Sequence, residues 1–506
     1  MPTENVDVLI IGAGVSGIGM ACTLERECPG MRYAVLERRQ NVGGTWDLFR
    51  YPGVRSDSDM FTYGYQFRPW RDFRVLADGK TIRDYLADTA HQYGVDRHIR
   101  FGMKTVRADW SQADQRWTVT AHDESDPLRR HTFICRQLVM STGYYNYDNG
   151  HTPSFPGIEN FEGQVIHPQH WPQDFDSTGK HIVVVGSGAT AVTLVPAMAP
   201  TAAHVTMLQR SPTYIMSVPS RDAMTEGLSR ILPRNWAFAF ARRRNTAIAG
   251  WIYQACRKWP DKMRAFLLKK TTERLAGSAD ISHFTPKYAP WDQRVCVVPD
   301  ADLFEAIKSG KASVATDQIK GFSGREVLLA SGAKLKADVL VSATGLELQA
   351  LGGMQVFADG VPYNVREHML YKGILLQDLP NFAWIIGYTN ASWTLKADLS
   401  TSYLARLYRY MDSKGAGVVV ARDRENCKLD ESVMGGLTSG YVVRANDRMP
   451  RQGSQAPWRS SSHYPSDKVT MLQDPIDDGI LVFAPRAGSR APDSTSHNRR
   501  QDAFLS

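Results

Sequence analysis

The sequence predicts an α/β fold of two domains, each built around a parallel sheet, in which the second domain interrupts the first and carries a helical insertion. The pattern of a buried strand, a glycine-rich turn and a helix occurs twice, at residues 6–27 and 181–195. Two further strands that end in glycine, QLVMSTG and ADVLVSATG, close the first segment and the interrupting domain. The 506 residues, 43% of them hydrophobic, suffice for two or three domains with sizeable cores.

The first glycine-rich turn directly follows a short apolar strand and opens an amphipathic helix. Gly12 permits the tight turn, Gly14 lets the backbone approach a pyrophosphate, and Gly17 allows the helix to pack closely on the strand. The next strand ends at Glu37, whose carboxylate can accept hydrogen bonds from ribose hydroxyls and would repel a 2′-phosphate. We therefore expect this turn, including Ser16 at the start of the helix, to bind FAD or NAD.

The second glycine-rich turn repeats this design, but the strand after its helix ends differently. HVTMLQ is followed by Arg210 and Ser211 instead of an acid. A guanidinium can bind a 2′-phosphate through two hydrogen bonds, so this Rossmann-like unit is expected to prefer NADPH. An arginine that is merely exposed at the end of a strand is the alternative. The predicted cofactor contacts are Gly186, Ser187, Gly188, Ala189, Thr190, Ala191, Arg210 and Ser211.

The cysteines exclude one class of flavoenzyme. A pyridine-nucleotide disulfide reductase shares the layout of two dinucleotide turns but needs a redox-active dithiol beside its flavin. The sequence contains neither a C-x-x-C nor a C-x4-C pair, so its cysteines are predicted to be buried thiols, and no metal site is predicted. The six are Cys22, Cys28, Cys135, Cys256, Cys296 and Cys427.

Two longer motifs accompany the two turns. The connector FEGQVIHPQHWP follows the pattern F-x-G-x-x-x-H-x-x-x-W-P through Phe161, Gly163, His167 and Trp171. The segment GGTWDLFRYPGVRSDSD, at residues 43–59, begins with Gly-Gly-x-Trp. Together they resemble the Baeyer–Villiger monooxygenases, a family of class B flavoprotein monooxygenases, over nearly the whole chain. Within that family the sequence is most similar to the ethionamide-monooxygenase group and to the flavoproteins of long-chain alkane and ketone degradation.

The resemblance implies an enzyme that uses FAD, NADPH and O2 to insert one oxygen atom next to the carbonyl of a hydrophobic ketone. The product would be an ester or lactone, formed through a C4a-peroxyflavin, and sulfides or thioamides are implied as further substrates. By the same resemblance Arg294 is the catalytic cation and Asp57 is the carboxylate that orients it. Gln293 stands where much of the family has a lysine, which leaves the details of cofactor retention open.

Two alternatives to this reaction remain open from the sequence. One is a flavin S- or N-oxygenase, or a hydroxylase, of hydrophobic substrates. The other is a non-enzymatic redox sensor that binds FAD and NADPH.

The glycine–tryptophan segment supplies the other implied contacts to FAD. In addition, NFAWIIGYTNASWTLKADL is predicted to end a strand and open a helix near residues 390–392. The N-terminus of that helix would stabilise negative charge on a reduced flavin. The remaining predicted contacts are Gly44, Thr45, Trp46, Leu48, Arg55, Ser56, Asp57 and Thr105.

The connector motif is implied to act as a hinge between the two domains and not as an acid–base catalyst. Gly163 permits a turn of the backbone that a Cβ would obstruct. His167 can bridge polar backbone groups, and Trp171 can anchor the segment by packing.

A basic stretch at residues 228–274 contains twelve arginines and lysines and two acids, although the whole chain carries a net charge of only +8. Tryptophans and other apolar residues lie among these charges. We expect helices that cap the substrate pocket, with contact to an anionic membrane surface as a consequence of binding apolar substrates. A solvated helix face is the plain alternative. No recognition motif supports binding of nucleic acid.

The predicted organisation follows from these motifs. No signal peptide or membrane-spanning run is recognised, so a cytoplasmic protein is expected, with peripheral membrane association tied to the role of the basic stretch. The sequence does not indicate an oligomeric state. The predicted parts are an FAD-binding domain at 1–150 and 343–450, an NADPH-binding domain at 151–225 and 285–342 with the hinge at 161–172, a basic helical insertion at 226–284, and a C-terminal extension with a polar, disordered tail at 451–506.

Overall fold

The computed structural model describes residues 3–488, and most of the predicted polar tail lies outside them. The predicted α/β fold is confirmed: two large sheets contain parallel strands flanked by helices. All six cysteines are buried free thiols, as predicted. None of the helices formed by residues 3–488 is long enough and apolar enough to cross a membrane.

Residues 3–150 form the greater part of the first sheet and the helices beside it. Their helices are α1 (Val15–Glu27), α2 (Thr45–Leu48), α3 (Met60–Tyr63) and α4 (Gly79–Gln92). Their strands are β1 (Thr3–Ile11), β2 (Tyr33–Leu36), β3 (Ile99–Arg100), β4 (Met103–Ser111), β5 (Arg116–Asp123), β6 (Arg130–Met140) and β7 (Tyr145–Gly150).

Residues 151–345 form the second sheet and the helical insertion. Their helices are α5 (Ala189–Met198), α6 (Ala223–Leu228), α7 (Arg234–Lys258), α8 (Pro260–Leu275) and α9 (Asp302–Lys308). Their strands are β8 (Gln164–Ile166), β9 (His181–Val185), β10 (His204–Gln209), β11 (Ile215–Val218), β12 (Cys296–Pro299), β13 (Ala312–Thr316), β14 (Ile319–Ser323), β15 (Glu326–Leu329), β16 (Lys334–Lys336) and β17 (Val339–Ser342).

Residues 346–488 return to the first sheet. Their helices are α10 (Trp393–Ser413), α11 (Gly440–Ala445) and α12 (Tyr464–Leu472). Their strands are β18 (Leu346–Leu348), β19 (Gln355–Ala358), β20 (Val361–Pro362), β21 (Leu370–Tyr371), β22 (Leu375–Leu376), β23 (Phe382–Trp384), β24 (Ala416–Ala421), β25 (Lys428–Ser432), β26 (Arg451–Gly453) and β27 (Leu481–Pro485). The antiparallel pair of β24 and β27 ties the C-terminal segment to this part of the chain.

The central strand of the first sheet explains the continuous apolar run in the sequence. β1 pairs in parallel with β2 on one side and with β6 on the other, and β23 pairs in parallel with β6. Val8 and Ile10 point into one core cluster, whereas Leu9 and Ile11 point into the other. Successive side chains of a strand alternate between the two faces, so a strand that is buried on both faces has to be apolar throughout.

The second sheet is entirely parallel, in the order β13-β10-β9-β17-β8. Its glycine turn follows β9, and the segment that contains Arg210 follows β10, so both lie at the carboxyl edge of the sheet. The glycine turn after β1 lies at the carboxyl edge of the first sheet. Ligands of open α/β sheets bind at this edge, because strand ends and helix N-termini meet there.

Two short strands connect the sheets. The chain leaves the first sheet through β7 and returns through β18, and these strands pair antiparallel, with Leu346 opposite Gly150. The Thr344 hydroxyl donates a hydrogen bond of 2.8 Å to the backbone carbonyl of His151 beside them. This pair therefore fixes where the two carboxyl edges meet.

Candidate active site

A cavity of about 800 Å³ lies between the carboxyl edges of the two sheets. Both glycine turns line it, together with the glycine–tryptophan segment and the loop before β12. The sequence-predicted residues that line it are Gly12, Gly14, Ser16, Glu37, Gly44, Thr45, Trp46, Arg55, Ser56, Asp57, Thr105, Gly186, Ser187, Gly188, Ala189, Thr190, Arg210, Ser211 and Arg294.

Three predicted cofactor contacts, Gly17, Leu48 and Ala191, do not line the cavity. A Cβ on Gly17 would lie 1.8 Å from the carbonyl oxygen of Gly12, so this glycine lets α1 pack on the turn. Leu48 and Ala191 are buried in the core beside the second sheet. These residues support the turns from behind, and their sequence motifs do not distinguish support from contact.

The first turn provides a bare backbone surface. Gly12 has a φ of +106°, and a Cβ on it would lie 2.7 Å from the carbonyl oxygen of Ser141. Gly14 precedes α1 with no side chain capping the helix, which leaves the N–H groups of the first turn for a ligand. Glu37 accepts hydrogen bonds from the backbone N–H groups of Ala13 (2.7 Å) and Arg39 (2.9 Å). Burial raises the pKa of the Glu37 carboxyl above its ordinary value, although these two hydrogen bonds act in the opposite direction.

Several buried polar atoms at the cavity have no hydrogen-bond partner within residues 3–488. They include the Ser141 hydroxyl, Nε and Nη2 of Arg55, and Nε of Arg294, all on residues that line the cavity. The hydroxyl of Ser392, at the N-terminus of α10, is also unpartnered, and its neighbour Ala391 lines the cavity. Buried polar groups are nearly always satisfied, so these atoms indicate a large polar ligand, and the residues fit a dinucleotide.

The second turn has the same form. Gly186 has a φ of +143°, and a Cβ there would lie 2.3 Å from the carbonyl oxygen of Ala343, whereas a Cβ on Gly188 would meet nothing within 4 Å. The Ser187 hydroxyl donates a 2.9 Å hydrogen bond to the carbonyl of Ser211. Arg210 is exposed and pairs with no carboxylate of residues 3–488. Its guanidinium is therefore open to an anionic ligand.

Arg294 and Asp57 face each other across the cavity wall. Nη1 of Arg294 lies 3.4 Å from Oδ2 of Asp57, and both side chains are partly exposed to the cavity. Burial lowers the pKa of the Arg294 guanidinium, but electrostatic interaction with Tyr144, Tyr441 and the Asp57 carboxylate raises it above its ordinary value. Arg294 therefore presents a permanent cation between the two turns.

Comparison with known proteins agrees with this arrangement. Residues 5–375 match the model of the FMO-like family, described as flavin-binding monooxygenase-like. The chain belongs to this family. It is 56% identical to the putative FAD-containing monooxygenase MymA of Mycobacterium tuberculosis over 96% of this chain and 99% of that protein. It is 49% identical to the FAD-containing monooxygenase EthA of the same organism, again over 96% and 99%.

Solved structures share the fold of this flavin monooxygenase at low sequence identity. A steroid monooxygenase bound to NADP superposes with a TM-score of 0.74 at 22% identity, covering 95% of this chain and all of the other. A complex of OTEMO with FAD and NADP gives a TM-score of 0.66 at 22% identity, covering 83% and 87%. The resemblance noted in the sequence and the predicted enzyme class, a flavin monooxygenase, are confirmed. FAD and NADP, the two predicted cofactors, are those of the second structure.

The connector motif lies outside the cavity lining, against the strands that join the sheets. The His167 ring packs on Gly150, where a Cβ would lie 1.9 Å from it, and its Nδ1 accepts a 3.2 Å hydrogen bond from the backbone of Gln169. The Gln169 side chain donates to the carbonyl of Asn146 in β7 at 2.9 Å. Burial lowers the pKa of His167. The motif is thus tied to β7, which supports a hinge more than acid–base chemistry.

The other motif residues pack on segments within residues 151–345. A Cβ on Gly163 would lie 2.7 Å from the carbonyl of Asp338. Phe161 packs on Phe322, and Trp171 packs edge-on against Phe175.

Several cavity residues were not found from the sequence. Tyr144 and Tyr145 follow β6, and Tyr441 belongs to α11. Tyr388 also lines the cavity, and its hydroxyl donates a 2.6 Å hydrogen bond to Asp467, which Lys396 contacts at 2.7 Å. The segment STGYYNY has only the pattern of a strand that returns to the sheet, and SGYVVRA carries no motif, so neither segment indicates a site.

The basic insertion does not wall the cavity. Among the described residues that line it, none comes from α6, α7 or α8. Instead α7 packs on α3, where Phe238 contacts Phe61 and Phe73. The guanidinium of Arg242 donates to three backbone carbonyls at residues 61, 62 and 64. The expectation that these helices cap the cavity is therefore wrong: the apolar inner face of α7 packs on α3, and α8 packs on α9 and β11.

Gly188→Ala and Gly186→Ala should separate cofactor approach from folding. The first change has room within the protein but places a methyl group where the dinucleotide approaches, so KM for NADPH should rise on the order of tenfold with an unchanged melting temperature. The second forces a left-handed φ and a clash with Ala343, and should lower stability by about 2 kcal/mol or more. Thermal unfolding and steady-state kinetics measure both. An equal loss of stability in the two variants would contradict this reading of Gly188.

Arg210→Ala should raise KM for NADPH and leave KM for NADH nearly unchanged, because only NADPH carries the 2′-phosphate. Arg210→Lys keeps the charge but loses the planar fork, so its KM for NADPH should fall between the two. Steady-state oxidation of both nucleotides is the measurement. If both nucleotides suffer equally, Arg210 is not the phosphate ligand.

Proposed function

We propose that this flavin monooxygenase uses FAD and NADPH to insert one oxygen atom of O2 next to the carbonyl of a hydrophobic ketone, forming an ester or lactone. The observation that carries the proposal is the Arg294–Asp57 pair, which lines the cavity between the two dinucleotide turns. Nη1 of Arg294 lies 3.4 Å from Oδ2 of Asp57. Relatives named as FAD-containing monooxygenases and a fold neighbour named as a cyclohexanone monooxygenase support it.

The two turns would divide the cofactors between them. FAD would lie on the first turn, with its pyrophosphate at the N-terminus of α1 and its ribose at Glu37. NADPH would lie on the second turn, with its 2′-phosphate at Arg210. When bound, the reduced flavin supplies activated oxygen to the substrate. We extend this proposal to the two domains whose bounds the motifs predict: the interrupted domain would hold FAD, and the domain inserted into it would hold NADPH.

Arg294 would stabilise the negative charge that develops on the carbonyl oxygen of the ketone when its carbonyl carbon is attacked. A guanidinium stays charged beside a buried cofactor, whereas a lysine could lose its proton. Its Nε has no partner within residues 3–488 and is free to donate to a reacting oxygen. Asp57 would hold the guanidinium plane through Nη1. Fixed donors of this kind act without reorganising during the reaction, which is why they contribute strongly to the rate.

The same cavity would admit hydrophobic sulfides. Around the Arg294–Asp57 pair it presents aromatic rings, among them Tyr144 and Trp393 at 5.3 Å between centroids. A sulfur atom does not develop the same anionic intermediate as a carbonyl, so its oxidation should depend less on Arg294. Product analysis of a ketone and a sulfide with one enzyme preparation separates the two activities.

Arg294→Ala should leave FAD bound and reduce ester formation on the order of a hundredfold or more, because it removes a fixed cation from the reacting oxygen. Arg294→Lys should recover only part of the rate, since a lysine keeps the charge but lacks the planar guanidinium, whose Nη1 pairs with Asp57 while Nε stays free to donate. Flavin absorbance checks cofactor content, and ester produced per NADPH consumed checks the chemistry. Wild-type ester yield in Arg294→Ala would remove Arg294 from the catalytic site.

We also propose that the outer surface of the insertion contacts an anionic membrane. Its large apolar side chains are exposed, with Trp236 at 71% and Trp251 at 62%. On α7 these two residues and Phe240 fall within about 60° of the helix circumference at 100° per residue. Basic residues lie among them along the chain, including Arg230, whose ion pair with Glu226 is 3.8 Å long. Aromatic residues beside cations suit the interface of anionic lipid. The surface comprises Met224, Ile231, Leu232, Trp236, Phe240, Ile248, Trp251, Trp259 and Phe266.

The full chain should sediment with vesicles that contain anionic lipid at low ionic strength and be released by salt, because the electrostatic part is screened. The double change Trp236→Ala and Trp251→Ala should weaken binding. Leu128→Ala is the matched control, because it removes an 87% exposed apolar side chain from the loop between β5 and β6, and it should not weaken binding. Equal sedimentation with neutral vesicles, or none with either, would reject the lipid contact.

A further inference from the structure

The loop that carries Arg294 is held in a strained conformation. Trp291 has a φ of +71°, which is uncommon for a bulky residue that is not glycine. Such a conformation persists only where surrounding contacts over-determine it. The Trp291 ring meets the Tyr253 ring of α7 edge-on, with 5.5 Å between centroids and 81° between planes. One of the contacts that hold this strain therefore comes from the basic insertion.

Asp292, the next residue, is bound from three directions. Its Oδ1 accepts a 2.8 Å hydrogen bond from Nη1 of Arg257 in α7. Its Oδ2 accepts from the backbone N–H of Ala289 within the loop at 3.1 Å. Its carbonyl accepts from the backbone N–H of Thr438 at 2.8 Å and from the Thr438 hydroxyl at 3.1 Å. Asp292 thus joins α7, the loop and the segment before α11, two residues before Arg294.

We propose that Tyr253 and Arg257 of α7 are positioning residues that hold the loop at residues 291–294, so that Arg294 faces Asp57 and the cavity. α7 lines no part of the cavity, and its contacts with Trp291 and Asp292 are what connect it to Arg294. A guanidinium acts through directed hydrogen bonds, so a small displacement of the loop would misplace it. The catalytic consequence rests on the proposed function, but the hold on the loop does not.

The two side chains suit a local role. The Arg257 and Asp292 side chains are 45% and 32% exposed, and ion pairs at this exposure contribute little to global stability. Removal of Arg257 should therefore loosen the loop without unfolding the protein. Arg243 lies on the same helix, is exposed, and pairs with no carboxylate of residues 3–488. It provides a matched control for the loss of one positive charge.

Hydrogen–deuterium exchange of the FAD-loaded full chain tests the hold without any substrate. In Arg257→Ala and in Tyr253→Leu, the amides of residues 288–297 should exchange faster than in wild type, while Arg243→Ala, Arg257→Lys and Tyr253→Phe should stay close to wild type. Exchange elsewhere and the melting temperature should not change. Unaltered exchange in both Arg257→Ala and Tyr253→Leu would overturn the proposal.

Kinetics then tests the consequence for Arg294. Arg257→Ala should lower ester formation on the order of tenfold, with KM for NADPH and the rate of flavin reduction unchanged and with hydrogen peroxide released in place of product. Arg257→Lys should restore most of the ester yield. Faster loop exchange with wild-type ester yield would overturn the positioning role. If wild type forms ester from no ketone, the proposed reaction fails, and the exchange measurement still decides whether α7 holds the loop.

Discussion

The site depends on one geometric constraint: two sheets must present the carboxyl ends of their parallel strands to a single cavity. The antiparallel strands β7 and β18 impose it, because they are the segments through which the chain leaves the first sheet and returns to it. The connector motif packs on this pair through His167 on Gly150 and Gln169 on Asn146. A change in the angle between the two sheets would have to alter these contacts. These contacts are a physical reason for the histidine of the connector, which directly follows β8.

The fold and the two turns could be predicted from sequence because their signals are local. An apolar strand buried on both faces, such as β1, is a continuous run, and glycines at Gly12 and Gly186 stand where φ is positive and a Cβ would meet a backbone carbonyl. The resemblance added Arg294 and Asp57, which are far apart in sequence and which the fold brings to 3.4 Å. Local motifs do not separate a glycine that contacts a ligand from one that packs a helix, as Gly17 shows.

What could not be predicted depends on packing between distant segments. Tyr388 reaches the cavity from the turn before α10, held by Asp467 of α12, and no spacing rule joins these two residues. The role of the insertion was also misjudged. Its apolar pattern indicates that one face is covered but not by what, and the covering partner is α3 with Phe61 and Phe73. Aromatic residues of α7 that α3 does not cover, such as Trp236, remain exposed.

The insertion therefore has an inner side that packs on the rest of the protein and an outer side that stays exposed, and α7 contributes to both. Arg242 fixes α7 to the carbonyls at residues 61, 62 and 64 and pairs with Asp398 of α10 at 3.2 Å, so the helix is anchored to the first sheet's helices. Trp236 and Trp251 of the same helix are exposed to solvent. Tyr253 and Arg257 contact the loop that carries Arg294. The same helix thus carries the contacts with α3, the exposed tryptophans and the contacts with the loop of Arg294, although none of its residues lines the cavity.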